Sequence, residues 1–303
     1  MEATLKDIAI ATGFSINTVS RSLRDDRAIS VKTRNLIKEK AEELNYIPNA
    51  LASSMRSLHS GLIGVISADS ANPFFGEVIK GIEECATRLG YQLMLGCTEE
   101  SIEKEEKLIK MFLSRRLDGL IVMPVFDNSS EHVERFKRLG KSVPFVFAGR
   151  YLEGLTEHSI LHEDFKGQKA VFDYFFSKGH KNILYIAGPE NVSNSGDRIK
   201  GMLASYKENN IDFNSDYMKL STGRIEDGYR VVNEALNRGL EFTAVACFND
   251  MIAMGAMKSL FENDLRVPED VEVFGYDNLY LSQFFQPALS TVDVPRFKLR
   301  SEE

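Results

Sequence analysis

The chain has 303 residues, of which 43% are hydrophobic and 27% charged, a balance typical of a globular protein with a substantial core. No stretch approaches the roughly 20 apolar residues of a membrane-spanning helix, and the start lacks a secretory pattern, so we expect a cytoplasmic protein. Three scattered cysteines without a CxxC pair predict neither a zinc site nor a disulfide framework, and no cofactor is expected.

The net charge of −7 is unevenly distributed along the chain. Residues 1–59 contain nine Lys and Arg against seven Asp and Glu, whereas the remainder contains 28 against 37. A mildly basic amino-terminal region before an acidic body keeps attraction to phosphates local to that region. Because few phosphates can be neutralised there, we expect the region to bind nucleic acid weakly by itself.

The first 46 residues predict three short helices. Thr4 can cap the first, with Asp7 three residues later as in a capping box. Gly13 interrupts the pattern, Ser15 can cap a second helix, and Ser30 precedes a third. The side chains expected to face inward are Leu5, Ile8, Ala9, Val19, Leu23, Ile37, Ala41 and Leu44. Two short helices around a tight glycine turn indicate a helix-turn-helix.

Residues 47–60 form a linker with helical potential. Pro48 and Asn49 can begin a helix, and the Ala, Leu and Met residues that follow favour it. About eight residues are too few for a stable isolated helix in water. We therefore expect this segment to fold only against a second copy or a DNA groove.

From Gly61 onward, apolar runs alternate with amphipathic stretches, which predicts parallel sheets flanked by helices. About nine strands are expected in this region, which favours two sheets over one. The predicted strands are Leu62–Ile66, Gln92–Leu95, Leu120–Met123, Phe145–Phe147, Ile183–Ile186, Val245–Phe248 and Val271–Phe274. Folds of this kind bind ligands beyond the carboxyl ends of their strands.

At this point a series of motifs resembles the lactose/galactose-repressor (LacI/GalR) family of bacterial transcription regulators. The motifs run in family order through nearly the whole chain. They are Thr4–Ala9, Gly13–Arg21, Tyr46–Ala52, Gly64–Ile66, Asn72–Phe75, Asp118–Ile121, Gly179–His180, Gly188–Pro189, Arg198 with Gly201, Asn249–Ala256 and Gly275–Asn278.

The resemblance implies an all-α helix-turn-helix head and an α/β periplasmic-binding-protein-like body with two parallel-sheet subdomains. The expected divisions are a head at 1–46, a hinge helix at 47–60, one subdomain at 61–160 plus 291–303, and another at 161–290. It further implies a homodimeric repressor on double-stranded operator DNA, controlled by a small molecule bound between the subdomains. A sugar or sugar phosphate is favoured over purine-like or amino-acid-like effectors.

The second helix would read the major groove with its amino-terminal residues. Asn17 can pair with adenine, Arg21 with guanine, and Ile16 can meet a thymine methyl. Ser15 and Thr18 would contact phosphates or cap the helix. The alternatives are that Ser15 is only a cap and that Ile16 belongs to the core.

In the hinge, Met55 stands where the family inserts an apolar wedge into the minor groove, and Asn49 and Ala52 are expected to contact DNA beside it. The family usually has Leu at the wedge position and a basic residue where this chain has Ser53. Both departures predict weaker or differently tuned hinge binding. Alternatively, Met55 only packs two hinge helices together.

Carrying the family's effector pocket onto this sequence predicts a set of polar and aromatic contacts. An Arg fork and a carboxylate can hydrogen-bond vicinal hydroxyls, and an aromatic wall can stack on the apolar face of a sugar. The predicted effector-binding residues are Phe74, Phe75, Arg150, His162, Arg198, Asn249 and Asp277. Two alternatives stay open: Arg150 is a surface charge, and His162, which with Glu163 replaces a common Asp-Asn pair, is structural.

Three rival interpretations are weighed against this one. A solute-binding transport protein would share the body but not the head. An enzyme is disfavoured, because Gly140-Lys141-Ser142 resembles a phosphate loop but has Arg135 where the first glycine belongs, and the histidines lack metal-binding spacing. Family members continue well beyond Pro295, so a chain ending at Glu303 is either shortened or a natural variant with incomplete sheets. It would then be a DNA-binding regulator without effector response.

Overall fold

The computed structural model describes residues 3–47, 59–127 and 129–294 of the protein. By its internal contacts the chain divides between residues 60 and 61 into two compact units, a head and a body. Within the described residues, no helix is long and apolar enough to cross a membrane.

The head contains three helices, α1 (Leu5–Thr12), α2 (Ile16–Leu23) and α3 (Val31–Glu43). Their core consists of Ile8, Val19, Ile37 and Ala41, with Leu5, Ala9, Leu23 and Leu44 packed against it. The inward stripe predicted from helical spacing is therefore confirmed.

The ends of these helices follow from local hydrogen bonding. Thr4 accepts from the amide of Asp7 at 3.3 Å, and the Asp7 carboxylate accepts from the amide of Thr4 at 2.9 Å, which completes the predicted capping box. Gly13 ends α1 at φ +75°, a conformation that glycine adopts at little cost. Ser15 then caps α2 by accepting from the amide of Thr18 at 3.1 Å. Together these caps define the helix-turn-helix.

The body contains two five-stranded parallel sheets, with strand orders β2-β1-β3-β4-β5 and β10-β9-β8-β6-β7. The strands are β1 (Leu62–Ser67), β2 (Gln92–Cys97), β3 (Gly119–Val122), β4 (Phe145–Ala148), β5 (Ser159–Ile160), β6 (Ile183–Ala187), β7 (Met218–Leu220), β8 (Ala244–Cys247), β9 (Glu272–Asp277) and β10 (Ser290–Asp293). The helices are α4 (Pro73–Arg88), α5 (Ile102–Ser114), α6 (Ser130–Leu139), α7 (Asp164–Ser177), α8 (Ser193–Glu208), α9 (Ile225–Asn237) and α10 (Asp250–Glu262).

In the first sheet, neighbouring residues of one strand face different helices. Val122 belongs to the apolar cluster of α5 and α6, whereas Ile121 packs into the cluster of α4. This alternation is the period of two that a strand imposes. Beside α4, an apolar groove of about 490 Å³ lies over the sheet, lined by residues that include Ile63, Ile121 and Val146.

The second sheet is covered by α7 and α8 over one cluster and by α9 and α10 over another. The close approach of α9 to α10 depends on two glycines. A Cβ atom at Gly228 would overlap the carbonyl oxygen of Ile252, and one at Gly255 would overlap that of Ile225. Any larger residue at either position must therefore push the two helices apart.

All seven predicted strands are present, with ends that differ by one to three residues. Three further strands, β5, β7 and β10, are two to four residues long. The subdomain boundary predicted after residue 290 is wrong, because it falls inside β10. Residues 291–293 pair with β9, so they belong to the second sheet rather than to the first subdomain.

Candidate functional site

A cavity of about 410 Å³ lies in the body where the carboxyl ends of strands from both sheets meet. Its wall includes Asp69 after β1, Glu100 after β2, Arg150 after β4, Pro189 after β6 and Asn249 after β8. This is the position at which parallel α/β folds bind their ligands. The volume is within the range of small-molecule sites.

The structure brings all seven sequence-predicted effector residues to this one cavity. They are Phe74, Phe75, Arg150, His162, Arg198, Asn249 and Asp277. Arg150 is therefore not a surface charge, since its side chain is only 12% exposed. That these residues contact an effector remains a prediction.

Arg198, on α8, is fixed by contacts on every side. Its Nε donates to Asp164 at 2.7 Å and its Nη1 to the carbonyl oxygen of Phe248. The guanidinium lies 3.5 Å from the ring centroid of Tyr276 and 4.6 Å from that of Phe248. Burial lowers the pKa of Arg198, but the negative charge of Asp164, joined by Tyr276 and Asp277, raises it above its usual value. Arg198 is thus a fixed, permanently charged anchor.

Arg198 and Asp277 lie close together in the wall of the cavity. The distance from Arg198 Nη2 to Asp277 Oδ1 is 3.9 Å, too long for a hydrogen bond. Asp277, the last residue of β9, has φ +106°, a backbone conformation that residues other than glycine adopt at a cost. A ligand hydroxyl can accept from the arginine and donate to the carboxylate.

Asn249 has both ends of its amide engaged by the protein. Its Oδ1 caps α10 by accepting from the amide of Ile252 at 2.8 Å, and its Nδ2 donates to the carbonyl oxygen of Gly223 at 2.9 Å. Only one amide hydrogen is left for another partner. Asn249 therefore joins the loop after β7 to α10 before any ligand arrives.

Arg150 lies in the part of the cavity formed by the first sheet. Its Nη1 donates to Glu100 Oε1 at 2.9 Å and to the carbonyl oxygen of Pro124 at 3.1 Å. The guanidinium lies 4.4 Å from the ring centroid of Phe126 and 5.6 Å from that of Phe75. Burial lowers the pKa of Arg150 more than Glu100 raises it. Burial likewise raises the pKa of Glu100, although Arg150 opposes the shift.

His162 follows β5 and contacts the edge of Phe74, with ring centroids 6.4 Å apart. Burial, with a smaller contribution from the charge of Arg198, lowers its pKa, so the ring is neutral near pH 7. Its Nε2 is buried and has no hydrogen-bond partner among the described residues. A neutral ring that lines a cavity with an unpartnered nitrogen can exchange a hydrogen bond with a hydroxyl ligand.

The loop that carries Phe126 is held by a buried pair below it. His132 Nε2 lies 2.6 Å from Glu105 Oε1, and its Nδ1 lies 2.6 Å from the carbonyl oxygen of Asp127. Glu105 also accepts from the amide of Val125 at 3.1 Å. Sequence reasoning missed this pair, as it missed Glu100, Phe126 and Asn194, which line the cavity. The available signal was that Glu100 and Phe126 follow β2 and β3 closely.

In the head, the five predicted DNA contacts of α2 and its cap are clustered. Ile16 is 49% exposed, so the alternative that it belongs to the core is wrong. Ser15 acts as a cap and also lies 2.9 Å from the Thr18 hydroxyl. Arg21 donates from Nε to Asp26 at 2.7 Å, while Asn17 is exposed. The hinge residues Asn49, Ala52 and Met55 lie outside the described residues.

No cluster of three or more His, Cys, Asp or Glu in the described part of the chain could hold a metal ion. A helix-turn-helix head and a two-sheet body with a polar and aromatic cavity define a DNA-binding protein with a ligand-binding body.

Comparison with known families and relatives supports this class. The model of the bacterial regulatory proteins of the lacI family matches residues 4–49. The model of periplasmic binding proteins and the sugar-binding domain of the LacI family matches residues 60–299. The HTH-type transcriptional repressor PurR of Pasteurella multocida is 33% identical over 299 residues, which is 98% of this chain and 88% of the relative. PurR of Proteus mirabilis is 32% identical, with 98% and 87% covered.

The same fold is present in a solved relative. The crystal structure of the lac repressor dimer bound to operator and the anti-inducer ONPF has a TM-score of 0.89 and 27% identity, covering 99% of this chain and 90% of that chain. The chain therefore belongs to the LacI family. It is a DNA-binding transcriptional regulator and not an enzyme, which confirms the prediction from the sequence.

Proposed function

We propose that the protein represses transcription as a homodimer on operator DNA in the cytoplasm, and that a sugar bound in the body cavity controls this binding. The observation that carries the proposal is that a hydrogen-bond donor, Arg198, and an acceptor, Asp277, lie 3.9 Å apart in the cavity wall, which suits a group that both accepts and donates, as a hydroxyl does. Phe74, Phe75 and Phe126 supply an aromatic wall for the apolar face of a sugar ring. The description of the matching family model as a sugar-binding domain supports the same class.

The mechanism we propose is thermodynamic linkage between ligand binding in the body and DNA binding by the heads. A ligand that binds one arrangement of the body better than another shifts the population toward it, by no more than its differential affinity. We propose that this shift changes the spacing of the two linkers in a dimer and so the fit of the paired heads to DNA.

The effector class is tested by thermal denaturation of the purified full chain with neutral mono- and disaccharides, purine bases and amino acids. A ligand present at 100 times its Kd should add about 2.7 kcal/mol to the free energy of unfolding, which is a readily measured shift. We expect stabilisation by one or more sugars. Stabilisation by a purine or an amino acid, with none by any sugar, would contradict the proposal.

For DNA, Arg21 is proposed to read a base. Its Nε is engaged by Asp26, which leaves both terminal nitrogens of the fork for a guanine edge. Arg21→Ala should cost about 1–3 kcal/mol at one operator position and relax specificity there. Arg24→Ala, which removes a neighbouring charge, is the matched control. Equal loss over all sequences, measured by competition binding, would make Arg21 a phosphate contact.

Homodimer formation is proposed because two heads are needed to bind a two-fold operator. The lac repressor of the solved structure is a dimer on its operator. On the body, Tyr280 and Phe284 stack edge to face at 5.1 Å and, with Leu281, expose an apolar surface. Sedimentation of Leu281→Arg should show monomers if this surface is buried between copies. A dimer that is unchanged in the variant would exclude it.

A further inference from the structure

We propose that Glu100, paired with Arg150, makes the cavity select uncharged, hydroxyl-rich ligands and reject their phosphate esters. The inference rests on the proposed sugar effector and goes further, since it names the charge of the ligand and the residue that sets it. Besides the exposed Arg224, two arginines line the cavity, Arg150 and Arg198, and arginine is the usual partner of a phosphate group. A phosphate can bind well only if one of these arginines has a positive charge that no carboxylate already neutralises.

Neither arginine has an unopposed charge. Arg150 Nη1 is occupied by Glu100 at 2.9 Å, and Arg198 Nε is occupied by Asp164 at 2.7 Å. A phosphate that took Arg150 would have to displace Glu100 or share the cation with it. In either case a buried carboxylate and a phosphate would lie close together with one positive charge between them, which is costly where water is excluded.

The backbone of Glu100 is held in place at the edge of the cavity. Glu99 and Glu100 have φ of +49° and +58°, two successive left-handed residues that are not glycine. The amide of Glu100 donates to the carbonyl oxygen of Ala68 at 3.2 Å and lies 3.3 Å from the hydroxyl of Thr98, which is itself fully buried. With the backbone held, the carboxylate can leave the cavity only by rotation of its side chain, which breaks its 2.9 Å bond to Arg150.

Arg150 is equally constrained. Phe126 and Phe75 lie close to its guanidinium, and the carbonyl oxygen of Pro124 accepts from the same Nη1 that Glu100 holds. The arginine therefore keeps its partner when a ligand enters.

The other charged side chains of the cavity wall also disfavour a phosphate. The lining residues include four carboxylates, Asp69, Glu99, Glu100 and Asp277, against three arginines, Arg150, Arg198 and Arg224. Arg224 is exposed, so its field is screened by solvent. His162 is neutral near pH 7 and adds no positive charge.

Hydroxyl groups suit this wall for the reason that phosphates do not. Glu100 Oε2 is buried without a hydrogen bond of good geometry among the described residues, although the amide of Phe126 interacts with the carboxylate. The side-chain amide oxygen Oδ1 of Asn194 and Nε2 of His162 are also buried and unpartnered there. A hydroxyl can donate to the two oxygens and exchange with the ring nitrogen, whereas an ionised phosphate donates little or nothing.

The test compares each neutral sugar with its own phosphate ester, for example glucose with glucose 6-phosphate and galactose with galactose 6-phosphate, by calorimetry on the full-length protein. For any sugar that binds, we expect its phosphate ester to bind at least about tenfold more weakly. Glu100→Gln keeps the side-chain size and should reduce the difference in affinity between the sugar and its ester. Glu103→Gln removes the same charge from an exposed residue that does not line the cavity, and it should leave that difference in affinity unchanged.

Each outcome decides the matter. An ester that binds the unaltered protein as tightly as its parent sugar overturns the selection of uncharged ligands. If both variants reduce the difference in affinity between sugar and ester equally, the assignment of this selectivity to Glu100 is overturned. If no sugar and no ester binds at all, the proposed effector class fails, and the inference fails with it.

Discussion

Arg150 and Arg198 line the same cavity from its two halves, and their pKa values are shifted in opposite directions. Arg198 has its ion pair with Asp164 inside the fold, and this raises its pKa in spite of burial. Arg150 has an ion pair of similar length with Glu100, yet burial prevails and lowers its pKa. The carboxylates differ as well, since burial raises the pKa of Glu100.

The difference shows which half of the cavity is preorganised. Arg198 lies between Phe248 and Tyr276 and has nothing to gain from a further counterion, so it can orient a ligand without moving. The Arg150–Glu100 pair is less well compensated. A ligand that adds hydrogen bonds there recovers free energy that folding has lost, so this half is where affinity and selectivity can be changed.

The largest effect is expected at Arg198. Arg198→Met removes the partner of Asp164 and leaves that carboxylate buried, so we expect the free energy of unfolding to fall by about 3–5 kcal/mol, with loss of sugar binding. Arg224→Met, an exposed residue of the same wall, is the control and should change stability by less than about 0.5 kcal/mol. Urea denaturation measures both. Near-normal stability of the Arg198 variant would show that the anchor is not preorganised.

The next largest effect on stability is expected at His132, which with Glu105 holds the loop that carries Phe126. His132 faces acceptors at both ring nitrogens, the Glu105 carboxylate and the carbonyl oxygen of Asp127, so both nitrogens must carry protons. Burial lowers the pKa of His132, but the hydrogen bonds and charges of Glu105 and Asp127 together outweigh it and raise the value. His132→Leu should lower the free energy of unfolding by about 3 kcal/mol, since Glu105 is left buried and unpaired.

The sign of the pH dependence follows from the same pair. A raised folded-state pKa means that the stabilisation is complete below the usual value of 6.5 and is lost as the pH rises through the folded-state value. Denaturation between pH 6 and 9 should therefore show a loss in the unaltered protein that is missing in His132→Leu. The double variant with Glu105→Leu should recover stability; if it does not, packing rather than charge holds this loop.

The fold follows from the sequence where a pattern is long enough. The inner faces of the head helices repeat at helical spacing, and a fully buried strand such as Ile183–Ala187 is recognised as a continuous apolar run. β5, with Ser159 and Ile160, is too short to have a period. β10 was placed on the wrong side of a subdomain boundary because only its pairing with β9 shows where it belongs.

The cavity was predictable in part, for two different reasons. Arg198, Asn249 and Asp277 were predicted from the family resemblance, which carries positions and not contacts. Glu100 and Phe126 have no motif, and their importance arises from Arg150, 50 and 24 residues away along the chain and brought close only by the sheet. A partner that is created by folding leaves no local pattern in the sequence.

The smallest effect is expected from Glu100 and its neighbour Glu99, whose pKa values are shifted in opposite directions. Because its folded-state pKa is raised, Glu100 makes the unaltered protein lose stability as the pH rises from 4.5 through the raised value, and Glu100→Gln should abolish that loss. Glu99 has its pKa lowered by hydrogen bonds from Cys97 and Ser70, so it contributes stability above 4.5 that is lost as the pH falls. Plots of the melting temperature of Glu100→Gln and of Glu99→Gln, each minus that of the unaltered protein, should therefore slope in opposite directions with pH. Parallel plots would mean that Glu100 is no more strained than a surface carboxylate, and the distinction between the two arginines would lose its basis.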